Sequence, residues 1–252
     1  MYKRYYDIDV DAKAYANRIV KAGGRIPSDI ISVSDFIRKL KQNNLYHSII
    51  ECFFLRRNQN IGTGTTVYGL KQFTGTLGNS PSWSEAGIIN SPTGYISTNI
   101  PFNGEAQTNI FMGCNTSSAG VQTYYGDLSD SNTRGIRQRT DVVFYGNGSL
   151  QNLSYSTTNL GSFKVTGFSH NNTNIIGFLN NSTSTLTSAG SRVLIPTISI
   201  GILAAVNGTD VQQNFIGTGS LFIRYNIALS AAEYIILYSI IKSTIARGLN
   251  LP

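Results

Sequence analysis

The sequence predicts a mainly β protein, an antiparallel jelly-roll sandwich with helices at both ends. Three observations carry this expectation. From about residue 62 to 226, apolar and polar residues alternate, and turn residues recur roughly every 8–12 positions. No helical period interrupts that stretch, which excludes the βαβ pattern of a parallel sheet. Charged residues make up only 13% of the 252, about half of what ordinary soluble domains carry. The polar surface is left to 24 Asn, 27 Ser, 23 Thr and 25 Gly, while apolar residues at 41% suffice to fill a core.

Residues 10–55 are expected to be helical. In DAKAYANRIVKAGG, Ala12, Tyr15, Ala16, Ile19 and Val20 fall at helical spacing, and Gly23-Gly24 is the stop. In PSDIISVSDFIRKLKQNN, Val33, Phe36, Ile37 and Leu40 share a face, with Ser28 or Ser32 as cap. LYHSIIECFF reads as a third, shorter helix built on Leu45, Ile49, Ile50 and Phe53. Such short helices persist only when packed. Strands are predicted at 65–70, 94–100, 107–113, 121–126, 141–146, 162–169, 173–180, 192–205 and 220–226. Between them GTG, GNSP, NSPTG, NGS and NGT mark turns, because Gly and Asn tolerate positive φ. The last element is a helix whose Ser230 and Glu233 match a capping box. Its YIILYSIIKSTIARG is apolar nearly all round, so it should be buried on both sides and pack with the N-terminal helices. This divides the chain into a helical segment, 1–57, and a jelly roll with its capping helix, 58–252, which could pack as one unit.

Charge follows the same division. Residues 1–57 hold 11 Lys/Arg against 6 Asp/Glu, residues 58–220 hold 6 against 6, and residues 221–252 hold 3 against 1. A nucleic-acid reader needs a concentrated basic stripe, and the neutral centre lacks one. Arg134, Arg137 and Arg139, flanked by Asp127, Asp130 and Asp141, read as a solvated loop. No apolar run reaches the 18 residues of a membrane span, and no signal peptide opens the chain. Cys52 and Cys114 lie in apolar surroundings and are expected as buried free thiols.

DIDVDAKAYANRIVKAGG, a second helix and NLYHSIIECFFL together resemble a leader common in bacteriophage structural proteins, in which a laminin-G-like, concanavalin-A-like jelly roll follows. NSPTGYISTNI (90–100) is similar to that family's segment where a glycine-aromatic pair opens a strand. GFLNNS (177–182) resembles its asparagine-rich hairpin, and IGTGSLFIRYNIALSAAEYIILYSIIKSTIARGLN its closing strand and capped helix. The likeness covers nearly the whole chain in order, and its motifs are structural. It implies a mainly β, concanavalin-A-like jelly-roll sandwich serving as a virion protein: a capsid decoration, head-fibre or tail-associated subunit. Made in the host cytoplasm, it would partner other virion proteins and copies of itself, and adhere to host-surface glycans. It transfers no catalytic residue.

The chemistry-bearing residues favour binding over catalysis. A glycoside hydrolase needs two carboxylates about 5–9 Å apart, and no E-x-D-x-x-E strand is present. The sandwich acids Glu85, Glu105, Asp127, Asp130, Asp141 and Asp210 are scattered, and Glu85 beside Trp83 is the most enzyme-like. His47 reads as a helix residue and His170 as an exposed turn residue, without the G-x-S-x-G turn of a serine hydrolase. No cofactor is expected. Calcium is the best metal candidate, with Asp127, Asp130 and Asn132 of GDLSDSN as oxygen ligands, as laminin-G-like relatives often hold at a sandwich edge. Those residue types are equally those of ordinary turns, the reading that leads. Trp83, Tyr124, Tyr125, Tyr145 and Tyr155 are the candidate sugar-stacking residues, weighed against filling of the sandwich core. The alternative function is a carbohydrate-binding module or glycoside hydrolase of the same fold.

Overall fold

A computed structural model of the protein describes residues 7–101, 107–117, 121–129, 132–139, 142–146, 150–153, 161–171, 174–187, 199–207, 210–212 and 214–252. Two helices come first, α1 (Val10–Lys21) and α2 (Ile30–Gln42). The strands follow as β1 (Ile49–Phe54), β2 (Thr66–Tyr68), β3 (Thr74–Gly78), β4 (Ser82–Trp83), β5 (Ile88–Asn90) and β6 (Tyr95–Pro101). Next are β7 (Gln107–Asn115), β8 (Val121–Ser129), β9 (Asn132–Arg139), β10 (Val142–Gly146), β11 (Leu150–Leu153) and β12 (Lys164–His170). The last are β13 (Asn174–Leu179), β14 (Ser182–Thr187), β15 (Ser199–Ile202), β16 (Ala205–Asn207), β17 (Asp210–Gln212), β18 (Gly217–Tyr225) and the closing helix α3 (Ala231–Ser243).

The strands form two sheets. One runs β14-β13-β12-β7-β18-β5-β4, with β1 also paired to β18; the other runs β11-β10-β9-β8-β15-β6-β3-β2, with β16 and β17 attached at β8. One apolar cluster joins the first sheet to all three helices, and a second joins the first sheet to the other. The molecule is therefore a three-layer stack of helices, central sheet and outer sheet. The first two helices and the closing helix share one layer, as expected.

The first two helices obey their sequence pattern. Asp9 caps α1 by accepting the Asp11 N–H at 2.9 Å, and its backbone turns at Gly23, φ +87°. Ala12, Tyr15, Ala16 and Ile19 are buried, as are Val33, Phe36, Ile37 and Leu40 of α2. Lys41 bridges Asp9 at 2.8 Å and Asp11 at 2.6 Å, tying the end of α2 to the start of α1. The cap of α2 is Asp29 rather than Ser28 or Ser32, and its side chain makes no capping bond. The Ser230–Glu233 capping box forms with both bonds present.

Three expectations are corrected here. The third helix is absent: Ile49–Phe54 is strand β1, antiparallel to β18. A strand with buried side chains on both faces loses its alternation, and IIECFF then looks like a short buried helix. Arg134, Arg137 and Arg139 lie on β9, paired with β8 and β10, and not in a loop. Helix α3 is buried on one side only, because Ile235 and Ile236 are 39% and 41% exposed.

The segments that carried the family likeness have structural tasks. The Asn90 amide Nδ2 donates to the carbonyls of Gly94 (2.9 Å), Leu203 (3.2 Å) and Phe215 (2.8 Å), stapling three loops. A Cβ at Gly94 would lie 2.2 Å from Asn90 Oδ1, so the glycine is required. Asn180, at φ +50°, starts the two-residue turn between β13 and β14, and its Oδ1 accepts the Val165 N–H at 3.1 Å. Cys52 and Cys114 are buried free thiols.

Candidate functional site

The short stretch Arg56-Arg57-Asn58-Gln59-Asn60, leaving β1, organises one edge of the molecule. Three of its side chains are buried and engaged. The Arg56 guanidinium donates to the carbonyls of Glu85 (2.7 Å), Ile245 (2.8 Å) and Arg247 (3.1 Å), and burial lowers its pKa. Gln59 Nε2 donates to Asp29 Oδ2 (2.9 Å) and to Ile245 O (3.0 Å), while its backbone carbonyl accepts the Tyr15 hydroxyl at 2.9 Å. The Asn60 amide donates to Phe54 O and Tyr68 O, both at 2.8 Å, and accepts the N–H groups of Ile61 and Tyr68. These bonds pin the 60–68 loop on β1 and join helices to sandwich.

On the solvent side of this stretch lies a cleft of about 440 Å³, lined by Gly23–Ser28, Arg57, Asn58, Asn60–Thr63 and Glu85. Pockets of roughly this size suit small ligands. Gly62 shapes its wall: φ is +70°, and a Cβ there would lie 2.6 Å from Arg57 O. Glu85 arrives on the tight β4–β5 turn, closed by the Ser84 N–H on Gly87 O at 2.8 Å and held to the stretch by the Arg57 N–H on Ser84 O at 2.9 Å. Trp83 stands next to it. Its indole N–H donates to Gly64 O at 3.0 Å and its ring packs against the inter-sheet cluster, so it fixes the GTGTT loop.

Seven polar residues line the cleft; the Asn60 amide is spent on the backbone, which leaves six: Arg25, Ser28, Arg57, Asn58, Thr63 and Glu85. Among the described residues, none of the six donates or accepts a side-chain hydrogen bond or forms an ion pair. Asn58 Oδ1 is buried without a partner. The contrast with saturated Arg56, Gln59 and Asn60 directly behind them is sharp.

Tyr124 and Tyr125 are fully buried in the sandwich core and present no ring face to solvent. A β-bulge between Thr123 and Tyr125 lets both consecutive rings turn inward. Tyr124 stacks on Phe111 at 5.2 Å and donates its hydroxyl to Asn115 Oδ1 at 3.1 Å; Tyr125 packs on Phe222 at 5.2 Å. Tyr145 is a β10 residue of the outer sheet, opposite Ile136 and Gln151, whereas Trp83 is on β4 of the central sheet, and Tyr155 lies outside the described residues. Of the calcium candidates, Asp127 and Asn132 sit on strands rather than in a loop, opposite Arg134 and Ser129, and Asp130 lies outside the described residues. Among the described residues no group of three or more His, Cys, Asp or Glu is gathered. His170 is not exposed: it ends β12, buried, opposite Gln107. His47 is in a turn rather than a helix.

Among the described residues the most buried carboxylate is Glu51, and its surroundings are structural. It accepts the N–H groups of Cys52 (2.8 Å), Lys71 (2.6 Å), Gln72 (2.8 Å) and Phe73 (2.7 Å). Burial raises its pKa against the pull of those four donors. Arg18 grips the same loop from its other side, through the carbonyls of Gly69, Leu70 and Lys71. Sequence reasoning missed the Arg56–Asn60 stretch. The available signal was five consecutive hydrogen-bonding residues directly after an apolar run.

No family model and no curated protein sequence matches the chain. Solved structures do resemble it. Domain 4 of AbnA, a GH43 extracellular arabinanase from Geobacillus stearothermophilus, solved in complex with arabinotriose, matches with TM-score 0.59 at 12% identity, over 76% of this chain and 98% of that one. Trypanosoma rangeli sialidase matches with TM-score 0.60 at 11% identity, over 86% of this chain and 39% of the sialidase. The botulinum neurotoxin serotype D binding domain matches with TM-score 0.57 at 11% identity, over 76% of this chain and 51% of that one. The chain spans only about two-fifths of the sialidase and half of the toxin fragment. At such identities the likeness is one of architecture, and it establishes the antiparallel jelly-roll sandwich that the sequence predicts.

Proposed function

We propose that the chain is a non-catalytic glycan-binding sandwich module whose ligand enters the cleft between Gly23–Ser28, Arg57–Thr63 and Glu85. One observation carries this: six polar side chains share a cleft and leave their hydrogen-bonding capacity unspent within the protein. A polyhydroxylated ligand offers donors and acceptors on every ring face, and Ile26 and Ile61 supply apolar contact for its C–H groups. A neighbour of the same architecture solved in complex with arabinotriose supports the choice of ligand class. Hydrolysis is not proposed. It needs a second acid across the bond, and the cleft lining contains one carboxylate, Glu85.

A glycan array followed by calorimetry tests the proposal. The wild type should bind at least one oligosaccharide without releasing reducing ends. Thr63→Trp, a bulky ring at an exposed lining position, should abolish that binding and leave the thermal midpoint unchanged. A silent array, or binding indifferent to Thr63→Trp, overturns the cleft as the site; released reducing ends overturn the non-catalytic role. Presentation of this module on a bacteriophage particle rests on the sequence resemblance and on the basic helical layer. Its absence from purified particles by mass spectrometry would remove that part alone.

A further inference from the structure

The six side chains of the cleft are not all neutral. Arg25 and Arg57 are both exposed and both line it, with Glu85 as the single carboxylate. Every other arginine described for its side chain is engaged: Arg18 on three carbonyls, Arg38 on Asp35, Arg56 on three carbonyls, Arg247 on Ser243 O, and Arg224 among buried partners. Two guanidiniums of like sign facing one small volume repel each other, and Glu85 forms an ion pair with neither. The lining therefore carries a formal +1. The start of α2 adds to it, since Pro27 and Ser28 line the cleft immediately before the helix. Asp29, which follows Ser28, is not part of the lining; its carboxylate accepts from Gln59 Nε2 at 2.9 Å behind the cleft.

We infer that the cleft takes an acidic sugar, whose carboxylate or sulfate group is held between Arg25 and Arg57 while Ser28, Asn58 and Thr63 meet neighbouring hydroxyls. Planar guanidinium forks match both oxyanions, and a ligand anion converts the repulsion between the two arginines into shared attraction. The inference deepens the glycan-binding reading and rests on it. Glu85 lies at the same cleft, where it accepts from hydroxyls and disfavours a second anion.

The test compares matched oligosaccharides that differ only in a uronate carboxylate, an O-sulfate or a neutral hydroxyl, titrated into the wild-type chain, Arg25→Gln, Arg57→Gln and the double variant. Both arginines are exposed, so thermal midpoints should stay within a degree or two of the wild type. The wild type should prefer an acidic member over its neutral counterpart about tenfold or more, because charge-assisted bonds outweigh neutral ones. That preference should shrink as salt rises from 0.05 to 0.5 M. Each single variant should lose part of it, and the double variant should bind acidic and neutral members within twofold. The uronate and sulfate arms identify which anion the cleft accepts. Equal binding of acidic and neutral members by the wild type, still abolished by Thr63→Trp, overturns this inference and leaves the glycan reading standing. Binding of none of the three overturns both.

Discussion

The two faces of the central sheet are both buried, yet they differ in chemistry. Toward the helices, β7, β12 and β18 present Ile110, Met112, Val165, Leu221, Ile223 and Tyr225 to an almost wholly apolar cluster. Toward the outer sheet, the same strands present an aromatic centre of Phe111, Phe168 and Phe222 with polar groups at either end. Gln107, Asn109, His170 and Arg224 lie at one end, and Asn115 and Lys164 at the other. The alternation along these strands therefore separates two buried chemistries, and not core from water. Short helices are held by an apolar face that nothing else covers, while the sandwich is closed by aromatic rings with buried polar groups at either end.

The largest expected effect comes from the aromatic centre. Phe111 packs on Tyr124 at 5.2 Å and on Phe215 at 5.5 Å, so Phe111→Ala should cost about 3–5 kcal/mol in urea unfolding. A loss below about 1 kcal/mol would mean that the two sheets are not closed on this ring. The polar end gives the next effect, of opposite sign. Burial pushes Lys164 down to about 8, whereas an unfolded lysine holds its proton to about 10.4. The unfolded chain thus binds the proton more tightly, and the native state gains stability as pH rises from 8 to about 10. Lys164→Met, of similar volume, should stabilise the protein by about 2–3 kcal/mol at pH 7, and its advantage should vanish toward pH 10. A pH-independent difference between the two proteins would refute the cost assigned to that buried charge. The smallest effect belongs to the outside of the helical layer. Ile236→Ser should change stability by less than about 0.5 kcal/mol, against about 2–5 for Leu237→Ala one residue on. A large loss at Ile236 would show that α3 is covered on its outer side as well.

The same contrast explains what the sequence made legible. Strands such as β6 and β13 stand out because Gly and Asn punctuate a regular alternation, whereas β14, all Ser and Thr but for Leu186, carries no apolar alternation to read. Central strands mislead, because a polar residue there suggests solvent when it is buried, as with His170. Where both faces are apolar, as in IIECFF, the alternation disappears and a strand passes for a helix. Tyr124 and Tyr125 could not both be placed inward without the bulge, which leaves no mark on composition. The candidate cleft was legible only in fragments. Trp83, Glu85 and the GTG turn stood out one by one, but Gly23–Ser28 and Arg57–Asn58 join them only in three dimensions.

The saturated Arg56–Asn60 stretch also decides how the molecule can be divided. It leaves a strand of the central sheet and is gripped by Tyr15, by Asp29 and by carbonyls next to the last helix. A fragment starting at residue 58 would strip β1 from β18 and uncover the apolar side of the sheet, inviting aggregation. The cleft itself borrows one wall from the helical hairpin. Grafting it onto another scaffold would therefore require both termini to travel with the sandwich.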